Sequence, residues 1–239
     1  MKKIEVINLD AWVANFLHQQ GYEYQIVYNS ESDKAWEDAL AFAGGELTFI
    51  QNFYKDEWIK VVQAQEVYDK VAYCKAPRLG RGVALDRKKR MQVWEVFEEY
   101  QNLMNERQQR DIETAMYECR KIIEKKNLTG QYASVIVDEG QDLSPSAYRL
   151  IRTLAGEEHE NDIFIVGDSH QRIYKNKAVL SRCGINVRGR SSYLRINYRT
   201  TEEIRKFAFS LLNGVSFDDL DENYDNCLLY TSPSPRDRG

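Results

Sequence analysis

Residues 134–142 read Ser-Val-Ile-Val-Asp-Glu-Gly-Gln-Asp, a short apolar run that ends in two adjacent acids. Three consecutive β-branched residues with polar neighbours are typical of a buried strand. A second apolar run, Ile163 to Val166, is followed at once by Gly167 and Asp168. Because helical patterns alternate with such runs, the sequence predicts an α/β fold, with parallel strands in a sheet that helices cover on both faces.

The helical patterns near these strands carry recognisable ends. Ser144 is placed to cap a helix that has Pro145 in its first turn and stops at Gly156. A third strand is predicted at Tyr193 to Ile196, and the capping box at Thr200 to Glu203 predicts a further helix after it. Strand and helix therefore alternate through this half of the chain.

The first half of the chain is dominated by apolar residues at helical spacing. The stretches with this spacing are 35–43, 53–72, 91–104 and 112–123. The last two predict amphipathic helices, which we expect to be antiparallel neighbours. Three aromatic residues on the first of that pair, Trp94, Phe97 and Tyr100, are expected in the core rather than in a ligand site. The glycine-rich segment 77–82 is expected to form a loop.

Composition excludes several classes of protein. The 239 residues are 43% hydrophobic, which is enough for one large or two modest domains. No apolar stretch approaches the roughly 20 residues of a membrane helix, and no signal sequence is evident, so we expect a soluble cytoplasmic protein without a membrane partner. The four cysteines are scattered, which argues against a disulfide framework or a zinc site.

Charge is distributed unevenly along the chain. The formal net charge is −4, which argues against a protein that binds polyanions over its whole surface. Between residues 172 and 206, however, ten Lys and Arg stand against two acids. An anionic partner would bind there, although such runs are often only solvated surface.

Two acids at the end of a strand suggest chemistry on a phosphate. In an open parallel sheet the functional crevice lies at the carboxyl ends of the strands. Asp138 could hold a hydrated magnesium ion there while Glu139 polarises an attacking water. Alternatively, the pair could simply cap the turn that follows.

Three motifs occur in a fixed order along the chain. They are Asp138-Glu-Gly-Gln-Asp142, Gly167-Asp-Ser-His-Gln-Arg-Ile-Tyr174 and Leu194-Arg-Ile-Asn-Tyr-Arg-Thr-Thr201. Together they resemble motifs II, III and IV of superfamily 1 helicases of the UvrD/Rep/PcrA type, over about residues 4–215. The resemblance implies a partial RecA-like (P-loop NTPase) parallel sheet with a helical insertion subdomain.

The resemblance also implies catalytic and phosphate-binding roles. Asp138 would hold Mg²⁺, and Glu139 would be the general base for attack of water on the γ-phosphate of ATP. Gln141 and Gln171 would sense that phosphate through neutral amides. Arg199 would neutralise charge on the transferred group, because its planar fork contacts two oxygens at once.

Further roles concern adenine and DNA. Tyr198 matches the aromatic residue that stacks on adenine, and Tyr174, Lys175 and Lys177 match a segment that binds DNA. Asn176 replaces an aromatic residue of the family pattern, which removes one platform for base stacking. Lysine side chains would still attract the phosphate backbone.

The resemblance divides the chain into segments. These are 1–29, a remnant of the first motor domain; 30–126, the helical insertion; 127–192, the return to the first motor domain; 193–226, the start of the second motor domain; and 227–239, a tail that resembles a translated sequencing adapter or a disordered end.

No Gly-Lys dipeptide, and hence no phosphate-binding P-loop, occurs in the sequence. We therefore expect this chain alone to be inactive, as a fragment that lacks the N- and C-terminal parts of a helicase. The parent would move 3′ to 5′ on single-stranded or partly duplex DNA. Two alternatives remain open: a non-catalytic module that binds nucleic acid or protein, and an ATPase linked to a nuclease or a toxin system.

Overall fold

The computed structural model describes residues 4–43, 49–168, 178–192, 194, 196–197, 201–211 and 230–231. The helices are α1 (Leu9–Gln19), α2 (Asn29–Phe42), α3 (Gln51–Glu57), α4 (Lys70–Lys75), α5 (Arg87–Glu106), α6 (Ile112–Lys125), α7 (Pro145–Ala155) and α8 (Glu202–Leu211). A π-helical segment, Trp58–Gln63, continues α3, and short 3-10 segments lie at Gly140–Asp142 and Leu180–Cys183. No helix in these ranges is both long enough and apolar enough to cross a membrane.

The strands are short, and all of them pair in parallel. They are β1 (Gln25–Val27), β2 (Gln109–Asp111), β3 (Val135–Val137), β4 (Ile163–Ile165), β5 (Ile196–Asn197) and β6 (Tyr230–Thr231). The pairs are β1 with β2, β3 with β4, and β5 with β6. The α/β class is therefore confirmed, but the one sheet that the sequence predicted is three separate pairs among the described residues. The predicted third strand corresponds to β5, which pairs with β6 and not with β3 or β4.

The predicted cap of α7 is confirmed, whereas the cap of α8 lies one residue after the predicted one. The Ser144 hydroxyl accepts a hydrogen bond from the Ala147 amide at 3.1 Å, and α7 ends at Gly156, whose φ is 82°. α8 begins at Glu202, and its cap is Thr201, whose hydroxyl accepts from the Ile204 amide at 3.5 Å. Thr200, the first residue of the predicted capping box, lies outside the described residues. Each cap satisfies an amide that the first turn of a helix leaves without an internal partner.

A first hydrophobic cluster joins α2, α3 with its π segment, α4 and α5. The exposed fractions of Trp94, Phe97 and Tyr100 are 3%, 0% and 2%, so the prediction that they form core is confirmed. Trp36 stacks on Tyr100 with ring centroids 3.9 Å apart. Aromatic rings contribute large buried surfaces to this cluster, beside its aliphatic side chains.

Helices α5 and α6 are not the antiparallel neighbours that we expected. The apolar face of α6 packs in a second cluster, with α1 and α7, while α5 stays in the first. The cause lies between them, because β2 pairs with β1 and redirects the chain. Asp111, at the end of β2, then caps α6 by accepting from the Thr114 amide at 2.9 Å. The predicted boundary at residue 126 stays a prediction.

The helix predicted over 53–72 is interrupted. Helical structure ends at Gln65, and α4 begins only at Lys70. Glu66 has a φ of 56°, a left-handed conformation that a right-handed helix excludes. Asp69 then starts the new helix, since its carboxylate accepts from the Ala72 amide at 2.8 Å. Apolar spacing alone did not reveal this break.

The glycine-rich segment 77–82 forms a loop, as predicted, and a buried acid anchors it. Glu57 is fully buried and accepts hydrogen bonds at 2.8 Å from both Arg78 and Arg81, and at 3.0 Å from the Tyr73 hydroxyl. Burial pushes the pKa of Glu57 upward, but the two guanidinium groups hold it below its usual range. Both arginines of the loop therefore bind a buried carboxylate.

The β3–β4 pair is covered on one face only within the described part of the chain. Its inner face packs in a third cluster with Tyr148 and Ile151 of α7. On the other face Ile136 and Phe164, which are partners in register, are 76% and 64% exposed. The prediction of helices on both faces is therefore wrong for these residues, because no described segment packs on the outer side.

Candidate active site

The candidate site lies where β3 and β4 end side by side. The Val166 amide donates to the Val137 carbonyl at 2.8 Å, so the pairing continues to the last residue of each apolar run. Just beyond, the Gly140 amide donates to the Val166 carbonyl, also at 2.8 Å. The turn at 138–142 is thereby attached to the end of the neighbouring strand.

Two acids at this edge face solvent. Asp138 and Glu139 follow β3 directly, and both are exposed. The Asp138 carboxylate accepts a hydrogen bond from the Glu139 amide at 3.0 Å. Glu139 has a left-handed backbone with a φ of 51°, an unfavourable conformation that the surroundings must maintain. The bend directs the chain back toward β4 immediately after the acids.

Gln141 connects the turn to the end of β4. Its side chain is buried, and its Nε2 donates to Glu139 Oε2 at 2.7 Å. Its Oε1 accepts from the Asp168 amide at 2.9 Å. An added Cβ at Gly167 would lie only 2.8 Å from Gln141 Oε1, so the close approach depends on a glycine there. The side-chain amide of Gln141 therefore connects the residues that follow the two strands.

Gly140 and Tyr148 also shape the turn, and sequence reasoning did not assign them a role in the site. The buried Tyr148 hydroxyl donates to the Gly140 carbonyl at 2.6 Å. A Cβ on Gly140 would lie 2.6 Å from Cγ2 of Ile165 and 2.7 Å from the Tyr148 hydroxyl oxygen. Tyr148 lies in the helix predicted between Ser144 and Gly156, and nothing in that pattern signals its contact to the turn.

The structure therefore brings together three of the predicted site residues, Asp138, Glu139 and Gln141. The remaining ones lie outside the described residues, and their roles stay predictions: Gln171, Tyr174, Lys175, Lys177, Tyr198 and Arg199.

The donor atoms at this edge suit one kind of metal. Within the described ranges there is no group of three or more His, Cys, Asp or Glu side chains that could hold an ion. Magnesium, however, commonly binds through one or two carboxylates and takes its other oxygens from water and phosphate. The exposed oxygens of Asp138 and Glu139 fit that pattern and not an all-protein metal cage.

Comparison with known families identifies the fold to which this edge belongs. A family model described as the UvrD/REP helicase N-terminal domain matches residues 10–179. The chain belongs to the UvrD/REP helicase family. The match includes the helical part, both strands of the β3–β4 pair and the turn with Asp138 and Glu139. The family resemblance seen in the sequence motifs is thus confirmed.

Individual UvrD/REP relatives are distant and longer than this chain. The putative ATP-dependent DNA helicase YjcD of Bacillus subtilis is 26% identical over an alignment of 203 residues, which covers 76% of this chain and 25% of that protein. The probable DNA helicase II homolog of Mycoplasma pneumoniae is 30% identical over 109 residues, 43% of this chain and 15% of that protein. The chain spans a quarter or less of the length of these curated relatives.

Proposed function

We propose that the chain is part of an ATP-dependent DNA helicase, in which hydrolysis of magnesium-bound ATP drives movement along single-stranded DNA. One observation carries the proposal: Asp138, Glu139 and Gln141 meet at the common end of two paired parallel strands, in a chain of the UvrD/REP family. The carboxyl end of parallel strands is where α/β proteins of many kinds bind ligands.

Glu139 is the proposed general base. Its carboxylate is exposed, so water can reach it, and the bond from Gln141 Nε2 holds one of its oxygens. The other oxygen is then available to accept a proton from an attacking water. Asp138 would hold Mg²⁺, which neutralises charge on phosphate oxygens when it is bound. In this proposal the two adjacent acids have different roles, one in proton transfer and one in metal binding.

The remaining predicted residues extend this proposal. Gln171 and Arg199 would contact the transferred phosphate, and Tyr198 the adenine ring. DNA would be bound near Tyr174, Lys175 and Lys177. The basic segment at 172–206 supports an anionic partner, since clustered cations attract a phosphate backbone.

We further propose that β3 and β4 belong to a larger RecA-like sheet in a longer parent protein. Two exposed apolar side chains, Ile136 and Phe164, lie side by side on the outer face of the pair. Contiguous exposed apolar surface commonly marks a contact site. The chain also matches only a quarter or less of its relatives. In this proposal the chain does not hydrolyse ATP without the rest of the parent.

The base role is testable by Glu139→Gln in the full-length parent. We expect ATP hydrolysis to fall by roughly 100-fold or more, because general bases contribute about that much, while ATP binding persists. Steady-state hydrolysis and binding of a fluorescent ATP analogue measure the two effects. Glu106→Gln, at an exposed acid on α5, is the control and should change neither. Unchanged hydrolysis, or equal loss of binding and hydrolysis, would contradict a general-base role for Glu139.

A further inference from the structure

We infer that Tyr148 is a positioning residue for the pair formed by Glu139 and Gln141. It does not reach the exposed carboxylates but acts through the backbone of Gly140, which lies between the two residues. The catalytic part of this inference rests on the proposed function, whereas the structural part concerns only the shape of the turn.

The position of the Tyr148 hydroxyl is set by its surroundings. The side chain is fully buried in the third cluster, beside Val137 of β3 and Ile151 of α7. Its helix starts at a fixed point, since Ser144 caps the first turn. A ring packed in this way has little freedom, so its hydroxyl is a rigid donor.

The Gly140 carbonyl receives that donor from outside the turn. It also accepts from the Leu143 amide at 3.2 Å, a bond that belongs to the 3-10 segment itself. Only the 2.6 Å bond from Tyr148 connects this carbonyl to α7. On the opposite side, the Gly140 amide is bound to Val166 at the end of β4. Gly140 is thus held between a helix and a strand.

The fixed position of Gly140 determines how the side chains of Glu139 and Gln141 are oriented. Glu139 and Gln141 are the immediate neighbours of Gly140, and their side chains meet at 2.7 Å. If Gly140 moves, the left-handed bend at Glu139 loses one of the contacts that maintain it. The carboxylate would then lose its orientation although no atom of the acid was changed.

The structural part is tested on the chain itself with Tyr148→Phe. Tyr73→Phe is the matched control, because Tyr73 is also fully buried and donates to an acid, Glu57, far from the turn. We expect faster hydrogen exchange at the Gly140 and Asp168 amides in Tyr148→Phe only. The two variants should lose similar global stability. Equal exchange at those amides in both variants would overturn the inference.

The catalytic part is tested in the parent helicase. Tyr148→Phe should lower kcat for ATP hydrolysis roughly 10-fold with little change in KM, because a small displacement of a catalytic group slows chemistry more than binding. Tyr73→Phe should leave kcat unchanged. If Glu139→Gln stops hydrolysis while Tyr148→Phe behaves like Tyr73→Phe, the positioning role is wrong. If Glu139→Gln leaves hydrolysis intact, the proposed function is wrong whatever Tyr148 does.

A second variant keeps the test decisive should Tyr148→Phe not fold. Ile165→Ala removes the β4 side chain whose Cγ2 faces Gly140 but leaves the hydroxyl in place. Because the Tyr148 hydroxyl still donates to the Gly140 carbonyl in this variant, exchange at the Gly140 and Asp168 amides and kcat should stay near those of the unsubstituted protein. Faster exchange at those two amides together with a roughly 10-fold loss of kcat in a folded Ile165→Ala variant would show that packing against β4, and not the hydroxyl, holds Gly140, and would overturn the inference.

Discussion

At the scale of single residues, the turn at 138–142 depends on the space left by two glycines. Gly140 lies between Ile165 and the Tyr148 hydroxyl, and Gly167 lies against the Gln141 side chain. At both positions an added Cβ would come closer to a neighbour than van der Waals contact allows. The acids are exposed, but the glycines that shape their turn leave no room for a side chain.

Gly140→Ala should destabilise the chain by about 1 to 3 kcal/mol, the usual cost of overpacking. Since part of the conflict is with the Tyr148 hydroxyl, the same substitution should cost about 1 kcal/mol less in a Tyr148→Phe background. Urea unfolding of the two single variants and the double variant measures this coupling. Gly80→Ala is the control, because nothing lies within 4 Å of its Cβ position, and it should show no coupling to Tyr148. Strict additivity at Gly140 would mean that the hydroxyl does not limit the space.

At the scale of secondary structure elements, an ion pair ties the end of α7 to the start of β4. Arg152 donates to Asp162 Oδ2 at 2.7 Å, and the Ile163 amide donates to Oδ1 at 2.7 Å. Burial pushes the pKa of Asp162 upward, but these bonds hold it below its usual range. The carboxylate therefore fixes where β4 begins, and with it the strand end that carries the site.

Asp162→Asn should lower the free energy of unfolding by about 1 to 2 kcal/mol at pH 7, since bonds to a charged group are lost. The pKa of this carboxyl is lower in the folded chain than its value of about 3.9 in the unfolded chain. Its charge therefore stabilises the fold fully above about pH 4, and this contribution is lost as the pH falls toward the pKa of the folded state. The difference in free energy of unfolding between Asp162→Asn and the unsubstituted chain should accordingly shrink below about pH 4.

Urea unfolding between pH 3 and 7 tests this expectation. Asp33→Asn, which removes an exposed partner of Lys55, is the control and should cost less than about 0.5 kcal/mol. A constant difference across the whole pH range would show that the charge of Asp162 is not responsible.

Elements with strong local signals could be predicted from the sequence. β3, β4 and α7 carry apolar runs, a serine cap and a terminal glycine, and each is found within one residue of its expected bounds. The convergence of Asp138, Glu139 and Gln141 followed from the ends of those strands. In contrast, the left-handed residue at Glu66 leaves no mark in the apolar spacing. The separation of α5 from α6 follows from the non-local β1–β2 pair, which spacing cannot show either. The Tyr148 contact to Gly140 joins residues close in sequence, but packing and not apolar spacing creates it.

At the scale of the whole molecule, the three hydrophobic clusters leave the outer apolar face of the β3–β4 pair uncovered among the described residues. Ile136 and Phe164 form its centre, and Val166 adds to it at 42% exposure. This surface lies on the same strand pair whose end carries the acids. An open face so close to the site is expected if further parts of a longer protein complete the sheet, as proposed above.

Phe164→Thr should make the isolated chain bind less of a dye that reports apolar surface, while its stability changes by no more than about 0.5 kcal/mol. Threonine retains strand propensity, so β4 should still form. The matched control is Phe42→Thr, at a residue of similar exposure, 68%, that lies on α2 and away from this surface. Because Phe42 lacks a neighbouring exposed strand face, its replacement should reduce dye binding less. Loss of more than about 2 kcal/mol on replacing Phe164 would mean that the side chain is buried in solution, because substitutions at exposed sites rarely cost that much.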